Sequence, residues 1–155
     1  MVRILDQSNW KFIEAAATLA KNSCCHRSKC GAVLAKNGKI IGQGWNSPPG
    51  DICIKKCFKD DLPKDFKSDK TCCIHAEDRA IRNALARAPS EVRGSQLFFI
   101  RLDDKNEMQI AGKPYCTMCS KLALDVGIAE FVLWHEQGIT AYGAEEYNLI
   151  SFKSN

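Results

Sequence analysis

The chain has 155 residues, 45% apolar and 26% charged, with a net charge of +4. That length suits one compact domain, residues 1–155. The balance is ordinary for a globular protein and excludes a collagen-like repeat, a coiled coil or a disordered tail. No stretch approaches the ~18–20 consecutive apolar residues of a membrane span. The opening MVRILDQSNWKFIEAAATLA turns polar at Asp6 and acidic at Glu14, unlike a signal peptide. A soluble cytoplasmic protein with no membrane partner is expected.

Residues 1–50 hold seven Lys/Arg against two Asp/Glu, and residues 51–72 mix six Lys with five Asp. Neither forms a clustered basic stripe, so a nucleic-acid partner is not expected.

In chain order, Trp10, Ile13, Ala16, Ala17 and Ala20 predict a helix over 9–21, with Ser8 or Asn9 as its cap. Residues 31–35 and 39–45 flank Lys36-Asn37-Gly38 and read as a β-hairpin. Asn46 to Gly50, with Pro48-Pro49, is a loop. Residues 51–72 are polar and lysine-rich without periodicity, an irregular Cys-rich insertion at about 51–73. Residues 75–88 place Ala76, Ala80, Ile81, Ala84, Leu85 and Ala88 on one stripe and predict a helix ending before Pro89. Strands are expected over 96–102 and 129–134, a polar loop over 103–113 and a helix over 117–126. Residues 144–150 give no clear pattern. Strand and helix alternate as in an α/β sandwich with at least one parallel crossover.

Nine cysteines stand at 24, 25, 30, 53, 57, 72, 73, 116 and 119. The odd number and the expected cytoplasmic setting make a disulfide framework a poor explanation, and metal ligation a better one. His75, Cys116 and Cys119 supply three ligands at two predicted helix starts. A catalytic zinc takes three protein ligands and keeps one position open. Helix N-termini favour the thiolates. Glu77, two residues past His75, is placed for general acid/base work on a water whose pKa the metal lowers. A lone Cys-x2-Cys is more often a structural knuckle; with His-x-Glu it points to hydrolytic attack on an electrophilic carbon.

His75-Ala76-Glu77 with Pro114-Tyr115-Cys116-Thr117-Met118-Cys119 resembles the zinc-dependent cytidine and deoxycytidylate deaminase superfamily, whose signature is H-x-E…P-C-x-x-C. Ser23-Cys24-Cys25-His26-Arg27, Cys30-Gly31-Ala32-Val33-Leu34, residues 36–41, Gly44-Trp45-Asn46-Ser47-Pro48-Pro49-Gly50 and the Cys-rich insertion are similar to its dCMP deaminase branch. The resemblance covers roughly residues 9–135. It implies a cytidine-deaminase-like three-layer α/β/α sandwich around a mixed sheet. It also implies zinc-dependent hydrolysis of a cytosine nucleotide, dCMP to dUMP, with release of ammonia. In that chemistry Glu77 passes a proton from water to the ring nitrogen and helps ammonia leave. Backbone at Ala76 and Glu77 holds the base edge, and Asn46 matches the Asn that bonds the sugar. A homo-oligomer is expected from the family.

Two positions depart from the family pattern. Tyr115 intervenes between Pro114 and the first Cys, which affects the loop shape and the base pocket. Arg79 stands where the branch tends to carry Asn. Arginine is a good bidentate partner for phosphate, so Arg79 is a substrate-binding candidate; the alternative is a surface arginine paired with an acid. The branch further implies a second, structural zinc. Its matching ligands are Cys25, Cys53 and Cys57, with Cys73 the fourth and Cys24 and Cys72 as alternatives at their pairs. A metal there would order an insertion too polar to be held by burial. Cys30 is expected in the core, and His26 could replace one Cys of that site. Trp45, Glu145, Glu146 and Tyr147 are candidates to wall or close the pocket, and His135 is expected at the surface. Other readings are a deaminase of single-stranded nucleic acid or tRNA, which needs a basic groove with stacking aromatics, a deaminase of another free base or nucleoside, and a non-enzymatic zinc module.

Overall fold

The computed structural model describes residues 2–65 and 72–154. Among them, seven strands form one mixed sheet. They are β1 (Val2–Ile4), β2 (Lys29–Lys36), β3 (Lys39–Trp45), β4 (Gln96–Leu102), β5 (Met108–Gln109), β6 (Glu130–His135) and β7 (Gly138–Gly143). The spatial order is β1-β7-β6-β4-β2-β3, with β5 pairing the end of β4. Only β4 and β6 run parallel, with Leu97 opposite Phe131, and the other pairs are antiparallel. The helices are α1 (Trp10–Ala20), α2 (Ala76–Arg87), α3 (Thr117–Asp125) and α4 (Ala144–Lys153).

The expected hairpin forms because Asn37 and Gly38 both take positive φ, 50° and 79°, as a two-residue turn between twisted strands requires. Residues of β2, β4 and β6 then alternate between two cores. Val33, Phe98, Ile100 and Val132 pack on Phe12, Ile13, Ala16 and Ala20 of α1. Leu34, Leu97, Phe131 and Leu133 pack on Ala80, Ile81 and Ala84 of α2, Ala123 of α3 and Tyr147 of α4. Two cores on opposite faces of one sheet make the α/β/α sandwich that the family resemblance implies.

One contact places the site. Ala76, Ala80 and Ala84 form a small-residue stripe on α2, facing Gly42 and Gly44 of β3. A Cβ at Gly44 would lie 2.6 Å from the Ala80 nitrogen and 2.7 Å from the Ala76 carbonyl oxygen. Helix and strand backbones therefore touch, and Asn83 accepts the Gln43 N–H at 3.0 Å on the outer edge of β3.

Several local expectations are corrected. Asn9 takes the N-cap position of α1, as expected, but its side chain makes no capping hydrogen bond. Asp6 accepts the Ser8 N–H at 2.6 Å and opens a 3-10 turn over Gln7–Asn9 that leads into the helix. The polar loop over 103–113 contains β5. The unclear stretch near 144–150 lies within α4. Strands β1 and β7 are additional. Residues 66–71 of the expected insertion lie outside the described residues; Phe58–Asp61 within it form a 3-10 turn.

Candidate active site

His75 is the N-cap residue of α2, and Cys116 is the N-cap residue of α3. The Cys116 sulfur accepts the Cys119 N–H at 3.5 Å, an amide that the first turn of a helix leaves without a carbonyl. The crossover from β4 through α3 to β6 carries Cys116 and Cys119 to the start of α2. There His75 Nδ1 lies 3.2 Å from Cys116 Sγ and 3.3 Å from Cys119 Sγ. The three ligand atoms all lie within 4.8 Å of one another, the only such group of three or more among the described residues. One imidazole nitrogen and two sulfurs suit zinc and leave a tetrahedral position open.

The ligands polarise one another. The hydrogen bond from Cys119, supported by His75, brings the Cys116 thiol down to about 4 in spite of burial. The hydrogen bond to Cys116 and the attraction of Glu77 push His75 up to about 9, against burial. The hydrogen bond to Cys116 and burial push Cys119 up. Glu77 lies in the first turn of α2 and is 6% exposed; burial pushes its carboxyl up, so it can hold a proton that an exposed glutamate would lose. A cleft of about 230 Å³ opens onto His75 and Cys119 between Pro49 and Met118, with Cys72, Cys73, Ile74 and Asp78 as its other walls.

The other candidate residues make the following contacts. Asn46, buried, accepts the Cys30 N–H at 2.8 Å and donates to the Ser28 carbonyl at 2.8 Å, latching its loop to β2. Arg79 meets the loop before Pro49. Its Nη2 donates to the Pro48 carbonyl at 2.9 Å and the Ser47 carbonyl at 3.2 Å. Ala76 is fully buried beneath β3. Trp45 donates from its indole to Asp51 at 3.1 Å. Tyr147 does not close the cleft; it backs the site, stacked on Phe131 with ring centroids 3.9 Å apart. His135 is half-buried, with Nε2 accepting from the Tyr142 hydroxyl at 2.7 Å.

Of the expected second metal set of Cys25, Cys53, Cys57 and Cys73, the structure corrects Cys53. Cys53 is joined to Cys24 in a disulfide across 5.7 Å between Cα atoms. Covalent pairing removes Cys53 as a ligand and itself ties the insertion to the chain after α1. Cys25, Cys57, Cys72 and Cys73 remain free thiols. Cys57 and Cys72 touch at 3.4 Å, while burial and neighbouring Cys25 push Cys73 up to about 12. His26 donates to the Ile54 carbonyl instead of joining a thiol cluster.

A metal-ligand trio at two helix starts, with a buried carboxylate beside it, defines a metal site on an α/β/α scaffold. The chain belongs to the family of the cytidine and deoxycytidylate deaminase zinc-binding region, whose model matches residues 6–135. It is similar to the deoxycytidylate deaminase of Saccharomyces cerevisiae, 27% identical over 126 residues, 78% of this chain and 35% of that one. The deoxycytidylate deaminase of Schizosaccharomyces pombe is 27% identical over 143 residues, 88% of this chain and 38% of that one. The chain thus spans little more than a third of the length of these fungal relatives. The dCMP deaminase of cyanophage S-TIM5, solved in complex with dCMP and dUMP, shares the fold with a TM-score of 0.59 at 24% identity, over 83% of this chain and 82% of that one.

Proposed function

We propose that this chain is a zinc-dependent hydrolytic deaminase of a cytosine nucleotide, converting dCMP to dUMP with release of ammonia. The observation that carries the reading is the buried Glu77 carboxyl two residues from His75, beside the sulfurs of Cys116 and Cys119. Zinc held by His75, Cys116 and Cys119 would act as a Lewis acid that lowers the pKa of a bound water. Glu77 takes a proton from the attacking water and delivers it to N3 of the cytosine ring. It then moves a second proton to the exocyclic amine as the C4–N bond breaks. Water supplies the oxygen at C4, and the amine leaves as ammonia. Burial suits Glu77 to this double duty, since a carboxyl with a raised pKa both accepts and returns protons near neutrality.

Binding falls to the surrounding backbone. The amides of the first turn of α2, at Ala76 and Glu77, have no helical acceptor and hold the base edge. Asn46 keeps one amide hydrogen and one lone pair beyond its two backbone bonds, available to a sugar hydroxyl. The names of the fungal and phage relatives support dCMP as the substrate. Exposed Tyr115, Met118, Leu149 and Phe152 are apolar surface that a homo-oligomer would cover.

The test is ammonia release from the zinc-loaded protein with dCMP, CMP, deoxycytidine, cytosine, guanine and a cytosine-containing single strand, with Glu77→Ala as blank. Turnover of dCMP well above deoxycytidine, lost in the variant while zinc stays bound, is expected. Turnover retained in the variant refutes the mechanism. Activity on the strand alone refutes the substrate.

A further inference from the structure

We infer that Arg79 is a positioning residue: its guanidinium clamps the turn over residues 46–51 onto α2, and so sets the Pro49 wall of the cleft and the approach to His75. This rests on the deaminase reading above for what the cleft binds, but not for the clamp itself.

Two carbonyls meet at one donor group. Arg79 Nη2 reaches the Pro48 carbonyl at 2.9 Å and the Ser47 carbonyl at 3.2 Å. Each carbonyl has a second donor. The Pro48 carbonyl also accepts the Asp51 N–H at 2.9 Å, closing a turn in which Gly50 and Asp51 both take positive φ, 73° and 58°. The Ser47 carbonyl also accepts the Ile74 N–H at 2.9 Å, and Ser47 returns its own N–H to Ile74 at 3.3 Å. Ile74 precedes His75. One side chain therefore joins the turn bearing Pro49, the strand-like entry to a metal ligand, and the helix bearing Glu77.

One terminal nitrogen of the guanidinium serves both carbonyls. The Arg79 Nε–H is buried with no acceptor among the described residues, a cost that rotation towards solvent would relieve and that the carbonyl bonds offset. An arginine reading a substrate phosphate presents its donor fork to the cleft. Here Nη2 is taken up by protein carbonyls, and the charged side chain that lines the cleft beside His75 is Asp78. The position of Arg79, two residues after Glu77, fixes the distance between the cleft wall and the proton carrier. That distance decides whether the base is held in reacting geometry.

The test compares the zinc-loaded wild type with Arg79→Gln and Arg79→Lys. KM and kcat are measured for dCMP and deoxycytidine, and amide exchange is followed at residues 46–51 and Ile74. Arg79→Gln is expected to raise KM by the same factor for both substrates, about ten-fold, with kcat changed less than about two-fold. Exchange at the turn and at Ile74 accelerates in the same variant. Arg79→Lys, whose ammonium still reaches one carbonyl, recovers part of both effects. A KM increase for dCMP alone would mean a phosphate contact and overturn the inference. So would unchanged exchange in Arg79→Gln, or a fall in kcat with KM untouched. If the wild type turns over neither compound, the deaminase reading fails, and the exchange data alone decide the clamp.

Discussion

Replacing Gly44 with alanine tests whether backbone contact between β3 and α2 holds the site. The added Cβ would meet the Ala80 nitrogen at 2.6 Å, the Ala76 oxygen at 2.7 Å and the Arg79 Cβ at 2.7 Å, where ordinary contact begins at 3.4 Å. The shortfall is about 0.8 Å, and two of the three atoms are backbone that no rotamer change can move. Overpacking of this kind costs about 1–3 kcal/mol, and the stiffer unfolded chain returns about 0.4–1 kcal/mol. A net loss of about 1–2 kcal/mol follows, which lowers the urea midpoint by roughly 0.5–1 M. The strain is relieved by lifting the first turn of α2, which carries Glu77, and a displacement near 1 Å costs on the order of 10²-fold in turnover. Urea unfolding and turnover of the zinc-loaded protein are the assays. Gly112→Ala is the control, since a Cβ there meets nothing within 4 Å. A Gly44→Ala protein with the midpoint and turnover of the control refutes the reasoning.

Three further outcomes are expected. Zinc binds once per chain and, at pH 7, displaces about two protons, from His75 (about 9) and from the raised Cys119, because Cys116 (about 4) is already a thiolate. Affinity therefore strengthens as pH rises; calorimetry in buffers of different ionisation enthalpy reads the count, and release of none contradicts it. Alkylation of the denatured, unreduced, metal-free protein modifies seven of nine cysteines and leaves Cys24 and Cys53 paired; nine modified cysteines in the mass spectrum contradict the disulfide. At Glu130, burial pushes the carboxyl up, but hydrogen bonds from Arg3, at 2.7 and 3.0 Å, and from Gln96, at 2.9 Å, hold it below the usual range. A depressed carboxyl stabilises the fold above its unfolded pKa and loses that contribution as pH falls through the folded value. Glu130→Gln is thus expected to lose up to about 1 kcal/mol near neutrality, a difference that shrinks as the carboxyl is protonated in acid-titrated unfolding, and a pH-independent difference would contradict the ion pair.

The central elements were legible because pattern and burial agree in them. The alanine stripe of α2, the Asn37-Gly38 turn and the apolar run of β4 each have one structural solution, and the spacing of His75, Glu77, Cys116 and Cys119 announces their convergence. The margins were not legible, for definite reasons. β1 has three exposed residues and no pattern. β7 follows a turn at Glu136–Gln137 without the Asn-Gly signal that marks the first hairpin. α4 buries only Ala144, Tyr147 and Ser151 while exposing Leu149 and Phe152, so its stripe is too weak to read. Neighbouring cysteines at 24/25 and 72/73 are chemically alike, and only geometry shows that Cys24 meets Cys53. For Arg79, residue type points to an anion partner, and the bonds of Nη2 to the Ser47 and Pro48 carbonyls carry no signal in the sequence.

The order of strands across the sheet has a consequence for how the chain becomes functional as it is made. β4 lies between β2, which precedes it by 60 residues of sequence, and β6, which follows α3. His75 is synthesised before β4 and Cys116 after it, so neither half of the ribosome's product can capture a metal with its full ligand set. Only when β6 aligns parallel to β4 is α3 carried back to the start of α2. Metal capture is then a late step of folding, and a bound zinc reports that the middle of the sheet is closed.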